Sequence, residues 1–183
     1  MPYSPSKSAF KRVGHPAASK PTAPRGAKFW PALGFAALTG SRATSGPAFL
    51  SHYLASQALA PGLAKSPLRF LAKPGVATAF KVLMAGEFVG DKMPSAGNRI
   101  IPQQLSMRTA SGALVGATWY KAKGGSALTG ALVGGLGTAL ATFLTFYLRT
   151  GISEKTGVAS ALVGAGEDAL VLASGSALVK SQK

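Results

Sequence analysis

The stretch GGSALTGALVGGLGTALATFLTFYL, Gly124 to Leu148, runs for 25 residues without a charged side chain between Lys123 and Arg149. As a helix it is about 37 Å long, enough to cross a hydrocarbon core of about 30 Å. From Ser126 it reads in tetrads, SALT-GALV-GGLG-TALA-TFLT, with a leucine in third place each time: Leu128, Leu132, Leu136, Leu140 and Leu144. Ser126, Gly130, Gly134 and Thr138 then form one i+4 stripe, with Gly135 on the small-residue stripe beside it. Such faces let two helix backbones approach closely, at crossing angles of about −40°. The expectation is a transmembrane helix that acts as a packing wall. Its neighbours are the helices holding Gly112 and Gly116, or Gly164, or a second copy of itself.

Composition narrows the class. The chain has 183 residues and no cysteine, which excludes disulfides and thiolate metal sites. Twenty Lys and Arg against five acids give a formal charge of +15. A nucleic-acid binder would spread its cations along one face among polar and aromatic residues. Here the long segments between cations are Ala, Gly, Leu and Val, and the cations gather in the first 28 residues and in short loops. That pattern leaves a basic nucleic-acid binder as a remote third reading, with no nucleic acid expected as partner, and fits a membrane topology with its basic flanks in the cytoplasm.

Residues 1–28 hold six cations, five prolines and no acid. Proline forbids a continuous helix there, and high charge with low hydrophobicity predicts a disordered cytoplasmic tail that touches anionic lipid head groups. From residue 29 to 183 a helical membrane domain follows. Phe29–Gly40 and Ala43–Ala60 are apolar and flank Ser41-Arg42, so one helix kinked near Gly46-Pro47 and a helical hairpin both fit. Trp30 reads as an interfacial anchor, and Trp119-Tyr120 as a second aromatic belt. Pro61–Pro74 reads as a surface segment, Gly75–Gly90 as a helix, Ser95–Met107 as a polar connection, and Arg108–Tyr120 as a short helix. Arg149–Gly157 reads as a connection and Val158–Val179 as the last helix. The whole is an all-α polytopic bundle of four to six membrane segments with Gly/Ala-rich close packing.

Internal likeness is present at two levels. SGALVGA (Ser111–Ala117) returns as TGALVGG (Thr129–Gly135) and ASALVGA (Ala159–Ala165), and RATSG (Arg42–Gly46) returns as RTASG (Arg108–Gly112). Each RxxSG opens an apolar helix and precedes a helix with acids, Glu87 and Asp91 first, Glu167 and Asp168 second. Two halves, 29–94 and 100–179, would follow from a duplication. A chain rich in small residues also matches itself by chance.

A charge at a bilayer centre costs about 2.5–3.5 kcal/mol on insertion scales, so intramembrane acids need partners. Glu167, Asp168, Glu87, Asp91, Arg42 and Arg108 are therefore the candidate intramembrane polar site, with Lys81 as a further counter-charge. Adjacent Glu167 and Asp168 point about 100° apart on a helix, whereas Glu87 and Asp91 share a face. Asp91, beside Lys92, fits the head-group layer better. His15 and His52 lie in unrelated contexts, no phosphate-binding loop or histidine pair is present, and neither a catalytic residue, a cofactor nor a metal site is expected.

Four short motifs carry a family resemblance: Gly40-Ser41-Arg42, Asp91-Lys92-Met93-Pro94, Arg108 to Gly112 followed by Ala-Leu, and Gly166-Glu167-Asp168-Ala169-Leu170. With them the chain resembles a family of small bacterial integral membrane proteins described only as a domain of unknown function. The resemblance spans most of 29–179 and leaves out the basic tail. It implies a multi-span helical fold of the bacterial inner membrane and no established activity, while the basic tail itself is what places the N-terminus in the cytoplasm. The expected function is transport or permeation of a small solute or ion through a polar site between helices. The alternative is an accessory subunit whose small-residue faces dock other membrane subunits or further copies of the chain.

Overall fold

A computed structural model of the protein describes residues 25–90, 100–157 and 160–183. The tail as far as residue 24, Asp91 and the whole Asp91–Pro94 motif lie outside the described residues. Within them the chain is all-α: α1 (Arg25–Ser41), α2 (Ser45–Ala55), α3 (Pro61–Ala64), a 3-10 turn at Pro67–Ala72, α4 (Pro74–Gly90), α5 (Pro102–Ala122), α6 (Ala127–Thr156) and α7 (Ser160–Lys180). Two of these, α6 and the Leu162–Lys180 part of α7, are long and apolar enough to cross a membrane.

Several boundaries differ from the expectation for local reasons. α1 begins at Arg25, four residues early, and residues 25–28 are its first turn. α5 begins at Pro102, six residues before Arg108, because proline at the first helical position gives up only an N–H that has no intrahelical acceptor. α6 passes straight through Arg149 and ends at Gly157, whose φ of +67° closes the helix in the left-handed conformation. Lys123-Gly124-Gly125 is a tight turn into α6, with Gly124 at φ +71°.

Contacts across the bundle fix the helix directions. Trp119, near the end of α5, donates its indole N–H to the Lys28 carbonyl near the start of α1 at 2.9 Å. Phe35 of α1 and Tyr53 of α2 both lie against its ring, at centroid distances of 5.5 and 5.8 Å. Since Tyr53 is near the end of α2, that helix runs back beside α1. Tyr53 in turn donates its hydroxyl to the Gln182 carbonyl, just beyond α7, at 3.1 Å. The start of α1 and the ends of α2, α5 and α7 therefore share one end of the bundle, with Lys28, Lys121, Lys123, Lys180 and Lys183. Trp119 is fully buried and belongs to the core, which corrects its reading as an aromatic belt, while Trp30 is 69% exposed.

α1 and α2 form a hairpin, and its tip is Arg42–Thr44 rather than Gly46-Pro47. Pro47 sits in the first turn of α2, where a missing N–H is harmless. Gly46 is required for the turn back, since a Cβ there would sit 2.8 Å from the Phe35 carbonyl oxygen and collide with the Thr39 hydroxyl.

α6 packs on α1 of the hairpin and along α5, and α5 itself touches both α1 and α2. Gly130, Gly134, Thr138 and Thr142 of α6 are buried, while Leu128, Leu132, Leu136, Leu140 and Leu144 are 57–72% exposed. The small residues face α5: a Cβ on Gly116 would strike the Gly130 carbonyl, and one on Gly134 the Gly112 carbonyl. Gly135 lies beside Ala113 and Thr109 at ordinary contact distance. Two expectations about this face are corrected. Ser126 is the residue before the helix and is exposed, so the stripe starts at Gly130. Gly164 packs not on Gly134 but against the Arg149 guanidinium.

Candidate functional site

The hairpin tip is the place where the backbone runs short of partners. A helix ends with carbonyls, and the next begins with N–H groups, that no intrahelical bond can satisfy. Between packed apolar helices such groups must find partners in the protein. Three charged side chains converge on the tip to supply them or to neutralise its own charge.

Glu87, in the last turn of α4, takes the N–H groups. Its Oε1 accepts from Ala43 N–H at 2.8 Å, and its Oε2 accepts from the Thr44 N–H and hydroxyl at 3.0 and 2.7 Å. Arg108, in the second turn of α5, takes the carbonyls. Its Nη1 donates to the Gly40 and Ser41 oxygens at 3.0 and 3.1 Å, and its Nη2 to Glu87 Oε1 at 3.3 Å. The signs suit the helix dipoles, with a carboxylate at the start of α2 and a guanidinium at the end of α1. Hydroxyls complete the tip: Ser111 donates to the Ala43 carbonyl at 2.7 Å, Ser45 to the Leu38 carbonyl at 2.6 Å, and Thr142 to the Gly40 carbonyl at 3.3 Å.

Arg42 leaves the tip in the opposite direction, toward α7. It is fully buried, and its Nε and Nη2 reach Asp168 Oδ1 at 2.8 and 2.6 Å. Its Nη2 also lies 3.5 Å from the Gly164 carbonyl and 3.9 Å from Glu167 Oε2. The Phe88 ring of α4 faces the guanidinium at 5.8 Å from its centroid. Glu167, one residue before Asp168, points around the helix and stands 4.0 Å from Arg149 Nη1 of α6. Arg42, Arg108 and Arg149 thus meet Glu87, Glu167 and Asp168, three positive groups against three negative ones.

Five of the six residues expected to form the polar site are therefore at one place: Glu167, Asp168, Glu87, Arg42 and Arg108. The sixth, Asp91, lies outside the described residues. Lys81 is elsewhere, with its ammonium 3.2 Å from Nδ1 of the exposed His52. Sequence reasoning overlooked Arg149, whose signal was its position as the first charge after the long apolar run. It also overlooked Thr44, Ser111 and Thr142, which nothing in their composition distinguishes from other small polar residues.

Behind the tip, between α1, α6 and α7, lies a cavity of about 840 Å³. Ala37, Leu38, Leu148, Leu170 and Leu178 are among its apolar walls, and Ser41, Thr145, Arg149 and Glu167 are grouped in one part of it. The charged cluster thus has a tightly knit side at α4 and α5 and a roomier side at α6 and α7.

No curated protein and no solved structure matches the chain. A family model does: that of DUF4126, a domain of unknown function, aligns with residues 30–180. The match takes in the hairpin, every charged residue of the cluster and the paired small-residue helices, and a chain matched over that span belongs to the DUF4126 family.

Proposed function

We propose that the protein is an integral membrane protein, of the bacterial inner membrane as the family resemblance implies, with its two ends on the cytoplasmic side. On this reading the α1–α2 hairpin enters from that side and its tip forms a polar site for passage of a small solute or ion. The observation that carries the reading is the interrupted backbone at Arg42–Thr44 with charges gathered around it. Non-helical backbone at membrane depth is tolerated only inside protein or beside water, and transporters place their sites at such breaks. The depth agrees: along α5, Trp119 to Arg108 is 11 residues, about 16 Å. The lysines at the other ends of these helices supply the cytoplasmic excess of positive charge. The exposed leucines of α6 are the lipid face.

The chain has no cysteine, so a single introduced thiol reports on its surroundings without background. Ala43 lends only its backbone to the site, and its side chain is half-buried. In membranes that resist carbonate extraction, Ala43→Cys should react with a small charged thiol reagent as a water-lined tip requires. A thiol that stays unmodified while Ser126→Cys reacts would make the cluster a structural latch and favour the accessory-subunit reading. Release by carbonate would sink both.

A further inference from the structure

Residues 59–73, which link α2 to α4, are strapped to the basic end by their buried side chains, and what they leave outside is both cationic and apolar. Leu63 and Leu71 are fully buried in the core, and a Cβ on Gly62 would strike the Lys121 carbonyl near the end of α5. Pro61 opens α3 and Pro67 the 3-10 turn, and the Ser66 hydroxyl accepts from the Leu68 N–H at 3.3 Å at the corner between them. Lys65, Arg69 and Lys73 are exposed, and so are Leu59 and Phe70, at 49 and 37%. The side chains of these three cations make no hydrogen bond or ion pair among the described residues. The described acids are elsewhere: Glu87, Glu167 and Asp168 at the hairpin tip, and Glu154 in the last turn of α6 at its far end. Lys73 leads directly into α4, which packs on α2 and on the 3-10 turn and leaves Val82 and Leu83 65 and 55% exposed. From Lys73 to Val82 is nine residues, about 13 Å, directed toward the hairpin tip. Lys81 stands six residues, about 9 Å, from Glu87 at the tip, and its ammonium meets His52, which is eight residues, about 12 Å, from Thr44. Its stem thus leans toward the basic end, as a lysine does beside hydrocarbon.

We propose that residues 59–73 and the open face of α4 bind an anionic phospholipid of the leaflet at the basic end, with its phosphate at Lys65, Arg69 and Lys73 and an acyl chain past Val82 and Leu83. Head group and chain then follow one direction, from the basic end toward the depth of the tip. Charge selects the lipid. With no carboxylate beside the cations, the ammonium of a zwitterionic head group meets repulsion, whereas a head group of net negative charge is attracted. The Arg69 guanidinium offers two parallel N–H donors to phosphate oxygens. Leu59 and Phe70 select a bilayer over a soluble polyanion, because an interfacial segment gains by burying apolar side chains at the acyl boundary, and a nucleic acid or acidic peptide offers them no hydrocarbon. The inference rests on the membrane reading above and adds an occupant that the polar site at the tip does not require.

The full chain is extracted from membranes in mild detergent, exchanged into mixed micelles holding equal phosphatidylglycerol and phosphatidylcholine, and weighed intact by native mass spectrometry. Phosphatidylglycerol should be retained about tenfold over phosphatidylcholine, and the ratio should fall to about one when Lys65→Gln, Arg69→Gln and Lys73→Gln are combined, with thermal unfolding unchanged. Arg69→Gln alone should take part of that change, so the outcome does not hang on the triple variant folding. Lys180→Gln with Lys183→Gln removes charge from the same end at another helix and should leave the preference intact. Phe70→Ser should lower the phosphatidylglycerol retained although no charge changes. No preference in the unaltered chain, an unchanged ratio in the charge variants, or unchanged retention in Phe70→Ser would overturn the proposal. An equal loss in the α7 pair would reduce it to general charge attraction, and displacement of the lipid by inorganic phosphate would make it a free-anion site, each of which also overturns it. So would an oligonucleotide that the chain binds and the triple variant releases while the lipid ratio stays put, which would give the surface to nucleic acid. Carbonate extraction of the same membranes separates the two ideas. A released protein overturns the membrane reading itself, whereas an embedded protein without lipid selectivity overturns only the site.

Discussion

Arg42 is the residue on which the site's energetics turn. Fully buried, it is neutralised by Asp168 at 2.6 Å, and the pair joins the hairpin to α7. Removing one member of a buried pair costs about 3–5 kcal/mol, because the other charge is left in a medium that cannot solvate it. Replacing both members with apolar groups of similar size is often neutral. Asp168→Asn should therefore destabilise the protein by about 3 kcal/mol or more in detergent unfolding, and Arg42→Leu with Asp168→Leu should recover most of that loss. If the double variant is as unstable as the single one, the arginine is holding the tip by other means. Arg108 and Glu87 obey a different rule. They satisfy backbone groups as well as each other, so an apolar pair at those positions would strand the carbonyls of Gly40 and Ser41 and the N–H groups of Ala43 and Thr44. Arg108→Leu with Glu87→Leu should thus stay destabilised by several kcal/mol, at about 1–3 kcal/mol for each stranded group. Measuring both double variants against their singles distinguishes a paired charge from a backbone cap.

At the scale of the helix, the α5–α6 seam is where the sequence was most legible. A stripe of small residues at i+4 spacing predicts close backbone approach from geometry alone, and Gly112, Gly116, Gly130 and Gly134 are found facing one another. Gly134→Leu should be destabilising beyond the about 1–3 kcal/mol usual for overpacking, because the obstacle is the Gly112 backbone rather than a side chain that can turn aside. Leu132→Ile, on the exposed leucine face, should change stability by less than about 0.5 kcal/mol. Equal effects in chemical unfolding would refute the assignment of faces. What the stripe could not reveal was its limits. Ser126 fits the spacing but precedes the first helical turn, and Gly164 fits the composition but packs on Arg149. The hairpin tip was legible only as a choice between kink and turn. Its partners are Glu87 and Asp168, 44 and 126 residues away from the tip residues they hold, and no local pattern encodes such distances. Trp119 misled for a related reason: an aromatic pair before lysines looks interfacial until a third helix is known to cover it.

Across the whole molecule, the charges tie the two parts of the chain together reciprocally. Arg42, in 29–94, takes Asp168 from 100–179, and Arg108, in 100–179, takes Glu87 from 29–94. The helices do not repeat in the same sense, however. The first RxxSG string leads into α2 and the second lies within α5, and both helices run toward the basic end, yet α4 carries Glu87 away from that end and α7 carries Asp168 toward it. The additional long crossing by α6 reverses the direction. With Gln182 accepting from Tyr53 and Lys28 from Trp119, both ends of the helical domain fall at the basic end. On the membrane reading, all of these flanks face the cytoplasm, because Lys and Arg determine orientation and the acids contribute little. Three exposed positions test this in an otherwise cysteine-free chain: Ser126 and Ser181 at the basic end, and Glu154 at the far end of α6. Ser126→Cys and Ser181→Cys should react with a membrane-impermeant thiol reagent only in inverted vesicles, and Glu154→Cys only in right-side-out ones. Labelling of Glu154→Cys and Ser181→Cys from the same side would mean that α7 does not return across the bilayer. The hairpin tip would then lose the depth on which the proposed polar site depends.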